Sequence, residues 1–177
     1  MNTIDRFERG RLETLDRYAL SEKGSRFELD SITALAASIC QTPMAALTFV
    51  GKDRIKLVSK VGIREDQKPS LGSFSGQAVR EQDILIVPYA LDDPRFTENE
   101  LVVGPAHVRF YAGVPLIVDG WPIGTLCVLD RTGRDLDSKQ ISSLMLLGKL
   151  AEANITSHYR LTIENAEIAR RSAMMIH

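Results

Sequence analysis

The sequence predicts an α+β fold: a central antiparallel β-sheet of about five to six strands, with helices packed on one face, a helix- and loop-lined pocket on the other, and a long C-terminal helix. The first observation is a hairpin over residues 109–130, whose strands meet at Asp119-Gly120, a dipeptide that tolerates the positive φ angles of a tight turn. The second is that apolar residues occupy both alternating faces of these strands, which is typical of a sheet covered on both sides. The third is a helical pattern that begins near Lys139 and has no stop signal.

The N-terminal third of the chain contains two helical patterns followed by two strand patterns. Apolar residues recur at helical spacing in the first two segments, and Pro43 follows the second, where a helix must stop. Gly51-Lys52-Asp53 forms the turn between the strands. The predicted elements are a surface helix over residues 4–18, a break at 21–25, a stronger helix over about 26–41, and strands over 44–50 and 54–61.

The middle of the chain predicts a loop, a short helix, a strand and a lid. Residues 62–71 are polar and contain proline, and Ser73 is a candidate N-cap for a helix over 74–81. A compact strand follows at 84–87. Residues 89–108 have no sustained period and form a long connection, which is typical of a functional lid or binding loop. Within this lid, Asp93 and Pro94 suit the cap and first residue of a short helix.

The two hairpin strands each place apolar residues on both faces. On the first strand the alternation puts Phe110, Ala112, Val114, Leu116 and Val118 on one face and Tyr111 and Ile117 on the other. On the return strand it puts Ile123, Cys127 and Leu129 on one face and Leu126 and Val128 on the other.

The C-terminal helix, capped by Asp137, carries a weak heptad pattern. Half of its core positions are small or polar, so the pattern fits either a solvated amphipathic helix or a parallel dimer helix with an imperfect core that can shift register. The seam positions are Leu147, Ala151, Asn154, His158, Leu161, Asn165, Ile168, Ser172 and Met175.

Composition excludes several functional classes. The chain has 177 residues, 44% of them hydrophobic and 25% charged, with a net charge of −1, which suits one globular domain with extensions and does not favour a nucleic-acid partner. Neither a signal peptide nor an apolar run of the roughly 20 residues that span a bilayer is present. Cys40 and Cys127 lie in apolar segments, which fits a reducing cytoplasm and no disulfide framework.

The sequence offers no catalytic or metal-binding constellation. Its three histidines, His107, His158 and His177, are far apart and have no carboxylates or cysteines at metal-ligand spacing. Nucleophile-elbow, phosphate-loop and C-x-x-C motifs are missing as well. We therefore expect no catalytic residues and no metal site.

Several motifs at compatible spacing resemble the GAF domain, a sensory module of bacterial signalling proteins. They are FYAGVPL followed by G-x-x-I-GTLCVLD, and upstream YALSEKGSRFELDSITALAASICQTPMAALTFVGKDR, SFSGQAV and ILIVPYALDDPRF. The resemblance covers roughly residues 18–151. It implies an N-terminal helix (1–20), a sensor domain (21–152) and a C-terminal signalling helix (153–177) that passes a signal to a downstream output domain.

The resemblance places a ligand between the sheet and the helix and loops that follow the second strand. Free amides at the helix start could meet an anion, and Arg109 could bind a carboxylate or phosphate through two hydrogen bonds. Arg109 could equally pair with Asp92 or Asp93, the phenylalanines could be core residues, and Tyr111 needs a hydroxyl partner if buried. The candidate residues are Ser73, Phe74, Ser75 and Gln77 of the helix, Asp93, Arg95 and Phe96 of the lid, and His107, Arg109 and Tyr111 near the strand.

Departures from the family pattern argue against several kinds of ligand and reaction. Where relatives often have Ser-Phe-Cys-x-His, this chain has SFSGQ at 73–77, which argues against thiol chemistry or metal ligation there. Neither cysteine matches the bilin attachment motif, so a covalent bilin is not expected. The chain matches the family's cyclic-nucleotide-binding signature only in fragments, at Phe96 and Glu100, so we do not expect a cyclic-nucleotide receptor. The leading hypothesis is a non-enzymatic cytoplasmic sensor, a homodimer that binds an unidentified small molecule. The alternatives are a ligand-free dimerisation scaffold and a redox enzyme of the free methionine sulfoxide reductase type.

Overall fold

A computed structural model describes residues 3–19 and 26–175 of the chain. The predicted break at 21–25 lies outside these residues. The predicted helices and strands are otherwise present, with changes in the middle of the chain. In chain order the elements are α1 (Thr3–Ala19), α2 (Arg26–Cys40), β1 (Met44–Val50), β2 (Ile55–Val61), α3 (Lys68–Glu81), β3 (Leu85–Val87), α4 (Glu100–Val103), β4 (Phe110–Val118), β5 (Trp121–Asp130) and α5 (Ser138–Met174).

The five strands form one antiparallel sheet in the order β2-β1-β5-β4-β3, which confirms the predicted fold class. The β4–β5 hairpin turns at Asp119 and Gly120, whose φ angles are 51° and 81°. Asp119 also accepts hydrogen bonds from Arg17 and from the Tyr18 hydroxyl, which ties this turn to the end of α1.

A β-bulge changes the predicted faces of β5. Leu116 pairs with Gly124 but Ile117 pairs with Pro122, so Ile123 is the extra residue of the bulge. Strict alternation predicted that Ile123 shares a face with Cys127. Because of the bulge, Ile123 packs in the same layer as Leu126. The first-strand residues Phe110, Ala112, Val114, Leu116 and Val118 pack on one face and Tyr111 on the other, as predicted. Ile117, next to the bulge, is half-buried and belongs to neither apolar cluster.

Each face of the sheet is covered by its own apolar layer. The first layer packs α1, α2 and α5 against one face, and its centre includes Leu29, Leu126 and Leu144. The second packs α3, α4 and residues 89–108, which we call the lid, against the other face. Because β4 and β5 are buried on both sides, apolar residues occupy both alternating faces of these strands.

Helix α3 begins earlier than the sequence predicted. It starts at Lys68, with Gln67 as its N-cap and a proline in its first turn, where a missing amide hydrogen costs nothing. Ser73 therefore lies inside the helix, and its predicted role as the N-cap is wrong. The backbone amides near Ser73 are committed to the helix, so they do not form the predicted anion site.

The lid begins with a turn and not with the predicted helix. The amides of Phe96 and Thr97 both donate to the Asp93 carbonyl, and the chain then enters the short helix α4. Asn99 caps α4 by accepting a hydrogen bond from the Leu101 amide at 2.9 Å. Asp93 is thus a turn residue, and the capping function belongs to Asn99.

Helix α5 is continuous across the predicted domain boundary at residue 152. Asp137 caps it as predicted, and Gln140 completes a capping box. Its first half packs on the sheet through Leu144, Gly148, Ala151 and Ile155, whereas every described residue beyond Tyr159 is exposed. Among the helices in residues 3–19 and 26–175, none combines the length and apolar character needed to cross a bilayer.

Candidate functional site

Three aromatic side chains fill the face of the sheet where a ligand was predicted. Phe74 of α3 stacks on Phe96 of the lid, with 4.1 Å between ring centroids, and on Tyr111 of β4, with 4.8 Å. All three rings are almost fully buried. The aromatic stack thus joins α3, the lid and the sheet into one packed layer.

The hydroxyl of Tyr111 is the unusual feature of this layer. The Tyr111 ring leans along β4 over Gly113, where a Cβ atom would lie only 2.3 Å from the hydroxyl oxygen. The hydroxyl is buried and makes no hydrogen bond of normal geometry within the described residues. Burial raises the pKa of Tyr111 well above its usual value, and polar contacts with the Ser75 and Thr125 side chains lower it in part. The hydroxyl therefore has polar neighbours, but none of them in good hydrogen-bonding geometry.

A chain of hydroxyl groups runs beside Tyr111 through the apolar layer. The Thr48 and Thr125 hydroxyls are 2.9 Å apart on β1 and β5, and Thr125 donates to the Ser75 hydroxyl of α3 at 3.0 Å. All three residues are fully buried. Sequence reasoning found Ser75 but missed both threonines, although a lone polar residue within each apolar strand was the available signal.

An ion-pair network closes the lid from outside. Arg95 contacts Asp93 at 2.7 Å and Glu81 of α3 at 3.0 Å, and its guanidinium lies 5.2 Å from the centre of the Phe96 ring. The hydrogen bond from Arg95 lowers the pKa of Asp93. These ion pairs fasten the lid to α3. They are partly exposed and therefore lie on the solvent side of the aromatic stack.

Arg109 and His107 brace the far end of the lid. The Arg109 guanidinium donates to the Val102 and Val108 carbonyls at 2.9 and 3.1 Å and lies 3.2 Å from Nδ1 of His107. Arg109 therefore does not form the alternative pair with Asp92 or Asp93, and its contact with a ligand stays a prediction. His107 has a φ angle of 49°, which fits a turn position.

Ser73 and Gln77 lie on the outer side of α3. Gln77 contacts Arg80 and Glu81 at 2.7 and 2.6 Å, and Ser73 is exposed. Ser73 lines the cleft between α1 and α3, and Gln77 is held by these surface contacts, so neither residue belongs to the aromatic stack. The structure thus brings together Phe74, Ser75, Phe96 and Tyr111 from the predicted set, and places the other six residues around them or elsewhere.

The aromatic layer leaves little empty space. A gap of about 10 Å³ lies beside it, lined by Met44, Ile63, Gln67, Leu101, Val108 and Leu129. Such a gap is at most large enough for one water molecule. A much larger cleft of about 660 Å³ lies elsewhere, between α1, the β1–β2 turn and α3.

The two cysteines have the properties of core residues. Cys127 lies in the aromatic layer and Cys40 at the end of α2, and neither is exposed. Burial raises the pKa of Cys40 to about 11 and that of Cys127 to about 12. A thiol of this kind is a poor nucleophile because the thiolate is the reactive form. Within residues 3–19 and 26–175, no group of three potential metal ligands converges.

The predicted dimer seam of α5 divides into two parts. Ala151 is fully buried in the first apolar layer and Leu147 packs partly against it, so Ala151 is not available to a partner and its predicted place in the seam is wrong. Farther along, Leu161, Ile168 and Met175 are 54%, 61% and 83% exposed at seven-residue intervals. Their pairing with a second helix stays a prediction.

Comparison with known sequences identifies relatives of the chain. The sequence model of the GAF domain matches residues 28–155. A cyclic di-GMP phosphodiesterase of Pseudomonas aeruginosa is 33% identical over 150 residues, which cover 84% of this chain. The same match covers only 26% of that relative, so the chain corresponds to about a quarter of its length.

Solved structures share the fold at low sequence identity. A type II free methionine-R-sulfoxide reductase from Thermoplasma acidophilum superposes with a TM-score of 0.65 at 16% identity, covering 78% of this chain and 96% of that one. The GAF domain of an Acinetobacter phosphoenolpyruvate-protein phosphotransferase gives a TM-score of 0.62 at 17% identity, covering 92% and 99%. The blue-light-absorbing PixJ GAF domain of Thermosynechococcus elongatus gives 0.61 at 18% identity, covering 85% and 95%.

Proposed function

The chain belongs to the GAF domain family, and we propose that it is a non-enzymatic sensory module that binds a small molecule at Tyr111 and relays binding through α5. The observation that carries the proposal is the buried Tyr111 hydroxyl. A buried polar group without a hydrogen bond of normal geometry costs up to about 1–3 kcal/mol of stability. A ligand that hydrogen-bonds to it recovers this free energy on binding.

The ligand enters by displacing part of the aromatic stack. Phe96 is the mobile member in this proposal, because it belongs to the lid, which the surface ion pairs of Arg95 hold in place. Exposed ion pairs of this kind contribute about 1 kcal/mol or less, so the larger cost of displacing Phe96 is the lost burial of its ring, about 1.5–3 kcal/mol, which the apolar body of the ligand must replace. Phe74 is the shared ring of the stack, so displacement of Phe96 leaves a space of similar size against Phe74, and a ligand there reaches the Tyr111 hydroxyl when the Phe74 ring shifts as well.

The chemistry of the opened space favours an uncharged ligand with an aromatic or apolar body. The buried polar side chains there are neutral hydroxyls and a thiol, those of Ser75, Tyr111, Thr125 and Cys127. A charged ligand would lose its hydration without gaining an opposite charge, which is costly. One hydrogen-bonding group on the ligand would suffice to reach the Tyr111 hydroxyl.

Strand β4 connects this site to α5. Tyr111 faces the aromatic layer, whereas Val114 faces α5, where a Cβ atom on Gly148 would lie 2.8 Å from its methyl group. The Ile117 amide also donates to the Glu152 carboxylate of α5 at 2.8 Å. A shift of β4 on ligand binding is therefore transmitted directly to α5, and a coupling of about 1–3 kcal/mol is enough for regulation.

We propose that α5 acts in a homodimer that leads to an output domain. Its exposed seam residues, Leu161, Ile168 and Met175, have the spacing of a coiled coil. Leu35 of α2 and Leu146 of α5 add exposed apolar surface on two helices that pack together. The much greater length of the Pseudomonas relative is consistent with a regulatory module joined to other domains.

A ligand-free scaffold is the second candidate function, and the closed aromatic layer is the observation that favours it. The two functions differ in what Tyr111 does. A scaffold gains nothing from a poorly hydrogen-bonded hydroxyl at this position, whereas a sensor gains a group that can hydrogen-bond to its ligand. Reductase chemistry has the least support, because both thiols are buried and their pKa values are raised.

Binding of uncharged aromatic probes tests the sensor proposal. Phenol, indole and benzamide are titrated into the protein while thermal unfolding is followed, and each is compared between wild type and the Tyr111→Phe variant. We expect at least one probe to raise the unfolding temperature of wild type and to stabilise the variant less. Equal stabilisation of both proteins would remove Tyr111 from the binding site, and no stabilisation of wild type by any probe would favour the scaffold.

Sedimentation velocity tests the dimer. The Leu161→Glu/Ile168→Glu variant places two carboxylates in the proposed seam, and Ile163→Glu is a matched control because Ile163 is also exposed on α5 but lies off the seam. We expect wild type and the control to sediment as dimers and the double variant as a monomer. A monomeric wild-type protein, or a dimer that survives the double substitution, would refute the proposed interface.

A further inference from the structure

A second cleft lies at the end of the sheet, separate from the Tyr111 site. Its volume of about 660 Å³ falls in the range of small-molecule sites. One wall is α1, which precedes the part of the chain that matches the family model, so the cleft combines the family fold with an added helix. We call it the α1 cleft, and its main lining residues are Phe7 and Arg11 of α1, Lys52 and Arg54 of the β1–β2 turn, and Gly76 and Arg80 of α3.

An ion pair between a buried arginine and a partly exposed glutamate forms the floor of the α1 cleft. Arg11 is 2% exposed, donates from Nε and Nη2 to the two carboxylate oxygens of Glu8, and donates from Nη1 to the Val50 carbonyl. The hydrogen bond from Arg11 lowers the pKa of Glu8, and the charges of Arg80 and Lys52 lower it further. The Glu8–Arg11 pair is therefore ionised and internally neutral, and it fixes α1 to the end of β1.

The rim of the cleft is positively charged. Lys52, Arg54 and Arg80 are exposed, and the Arg80 guanidinium donates a hydrogen bond to the neutral amide of Gln77 at 2.7 Å. None of these three cations forms an ion pair with another described residue, and Asp53 is the one remaining acidic residue in the lining. The rim thus has an excess of two positive charges, although the whole chain has a net charge of −1.

Apolar side chains and two glycines keep the interior open. Ile4 and Phe7 of α1 face the cleft, and Phe7 is supported from behind by Trp121, with 5.8 Å between ring centroids. A Cβ atom on Gly76 would lie 3.3 Å from the Arg80 guanidinium, and one on Gly72 would lie 3.3 Å from the Ile55 side chain. Larger residues at these two positions of α3 would occupy the space between its walls.

We propose that the α1 cleft binds a small organic anion with an apolar body, of the carboxylic acid class. The carboxylate lies between Arg54 and Arg80, whose planar guanidinium groups suit bidentate hydrogen bonds, and Lys52 adds a third positive charge. The apolar body packs on Ile4 and Phe7. This inference does not rest on the proposed function at Tyr111, because the two sites share no lining residue.

A pair of fluorescent probes with the same aromatic body tests the charge requirement. 8-Anilinonaphthalene-1-sulfonate is an amphipathic anion, and N-phenyl-1-naphthylamine is its uncharged counterpart. Both are titrated into the full chain, and energy transfer from Trp121, the single tryptophan, reports that the probe is bound, while the variants locate it. We expect the Arg54→Ala/Arg80→Ala variant to bind the anionic probe about tenfold more weakly, since two charged partners of the sulfonate are removed, and the neutral probe with unchanged affinity.

Two further variants distinguish binding in the α1 cleft from nonspecific binding of the probes elsewhere on the protein. Arg170→Ala/Arg171→Ala removes two cations from the exposed end of α5 and should leave both affinities unchanged. Gly76→Leu fills the cleft while retaining its charges and should abolish energy transfer to the anionic probe. Circular dichroism of both variants confirms that the helices are intact. Equal weakening by the two arginine double variants, or full binding by Gly76→Leu, would overturn the proposal.

Competition identifies the class of anion. Octanoate should displace the anionic probe at a concentration at which inorganic phosphate does not, because only octanoate has an apolar body to pack on Phe7. Phosphate that competes as well as octanoate would show that the cleft responds to charge alone and would contradict the proposed ligand class.

Discussion

Removal of the Tyr111 hydroxyl should stabilise the protein. The hydroxyl is fully buried and lacks a hydrogen bond of normal geometry within the described residues, so it carries a desolvation cost with little return. Such a group costs about 1–3 kcal/mol, and the favourable packing of the oxygen atom against its neighbours offsets part of that. We therefore expect Tyr111→Phe to raise the free energy of unfolding by about 1 kcal/mol, measured by urea denaturation. This corresponds to an increase in the unfolding temperature of about 3 °C for a chain of this size.

Tyr18→Phe is the matched control, because the same atom is removed where it is bonded. The Tyr18 hydroxyl donates to the Asp119 carboxylate at 2.8 Å, and the residue is 4% exposed. The control should lower the free energy of unfolding by about 1 kcal/mol. If Tyr111→Phe destabilised the protein as much as the control does, the Tyr111 hydroxyl would be a structural hydrogen-bonding group, and the argument for a ligand at this position would fail.

Three other perturbations have expected outcomes. Gly124→Ala would place a Cβ atom 1.8 Å from a carbonyl oxygen of β1, and we expect a loss of about 3 kcal/mol or more in urea denaturation; an unchanged midpoint would refute the packing of β1 on β5. Because Arg11 lowers the pKa of Glu8, their interaction stabilises the fold above the ordinary carboxyl pKa of 4.5 and is lost as the pH falls through the lower folded value. Glu8→Gln should therefore be less stable than wild type near neutral pH, and the difference should close in acid; a difference that persists there would contradict the ion pair. Both cysteines should react slowly with a thiol reagent in the native protein and rapidly in denaturant, and rapid native labelling of either would reopen the reductase alternative.

Long periodic segments made the fold predictable from sequence. The turn at Asp119-Gly120 predicted the hairpin, and Asp137 predicted the cap of α5. The apolar residues on both faces of the hairpin strands predicted their two-sided burial, and the structure contains all three features. The errors occur where the chain departs from a strict period. Ile123 changes face because of a bulge, which alternation cannot anticipate. α3 begins before Ser73 because Pro69, read as a loop signal, is equally suited to the first turn of a helix.

The site was less predictable because it depends on contacts between distant segments. The resemblance correctly brought Phe74, Phe96 and Tyr111 into one region, but it did not indicate that they stack and fill that region. Arg109 illustrates the other difficulty, since its guanidinium can bind a ligand or backbone carbonyls equally well, and only the fold of the lid shows that it does the second. The α1 cleft was not predicted at all, because its walls come from three separated segments.

Native mass spectrometry of the freshly purified protein, followed by denaturation in the same instrument, tests the central claim most directly. The sensor proposal predicts a dimer with a small additional mass that is lost on denaturation and is reduced or missing in the Tyr111→Phe variant. A monomer whose mass is that of the bare chain would contradict both the dimer and the bound ligand. A mass retained equally by the variant would place the ligand away from Tyr111.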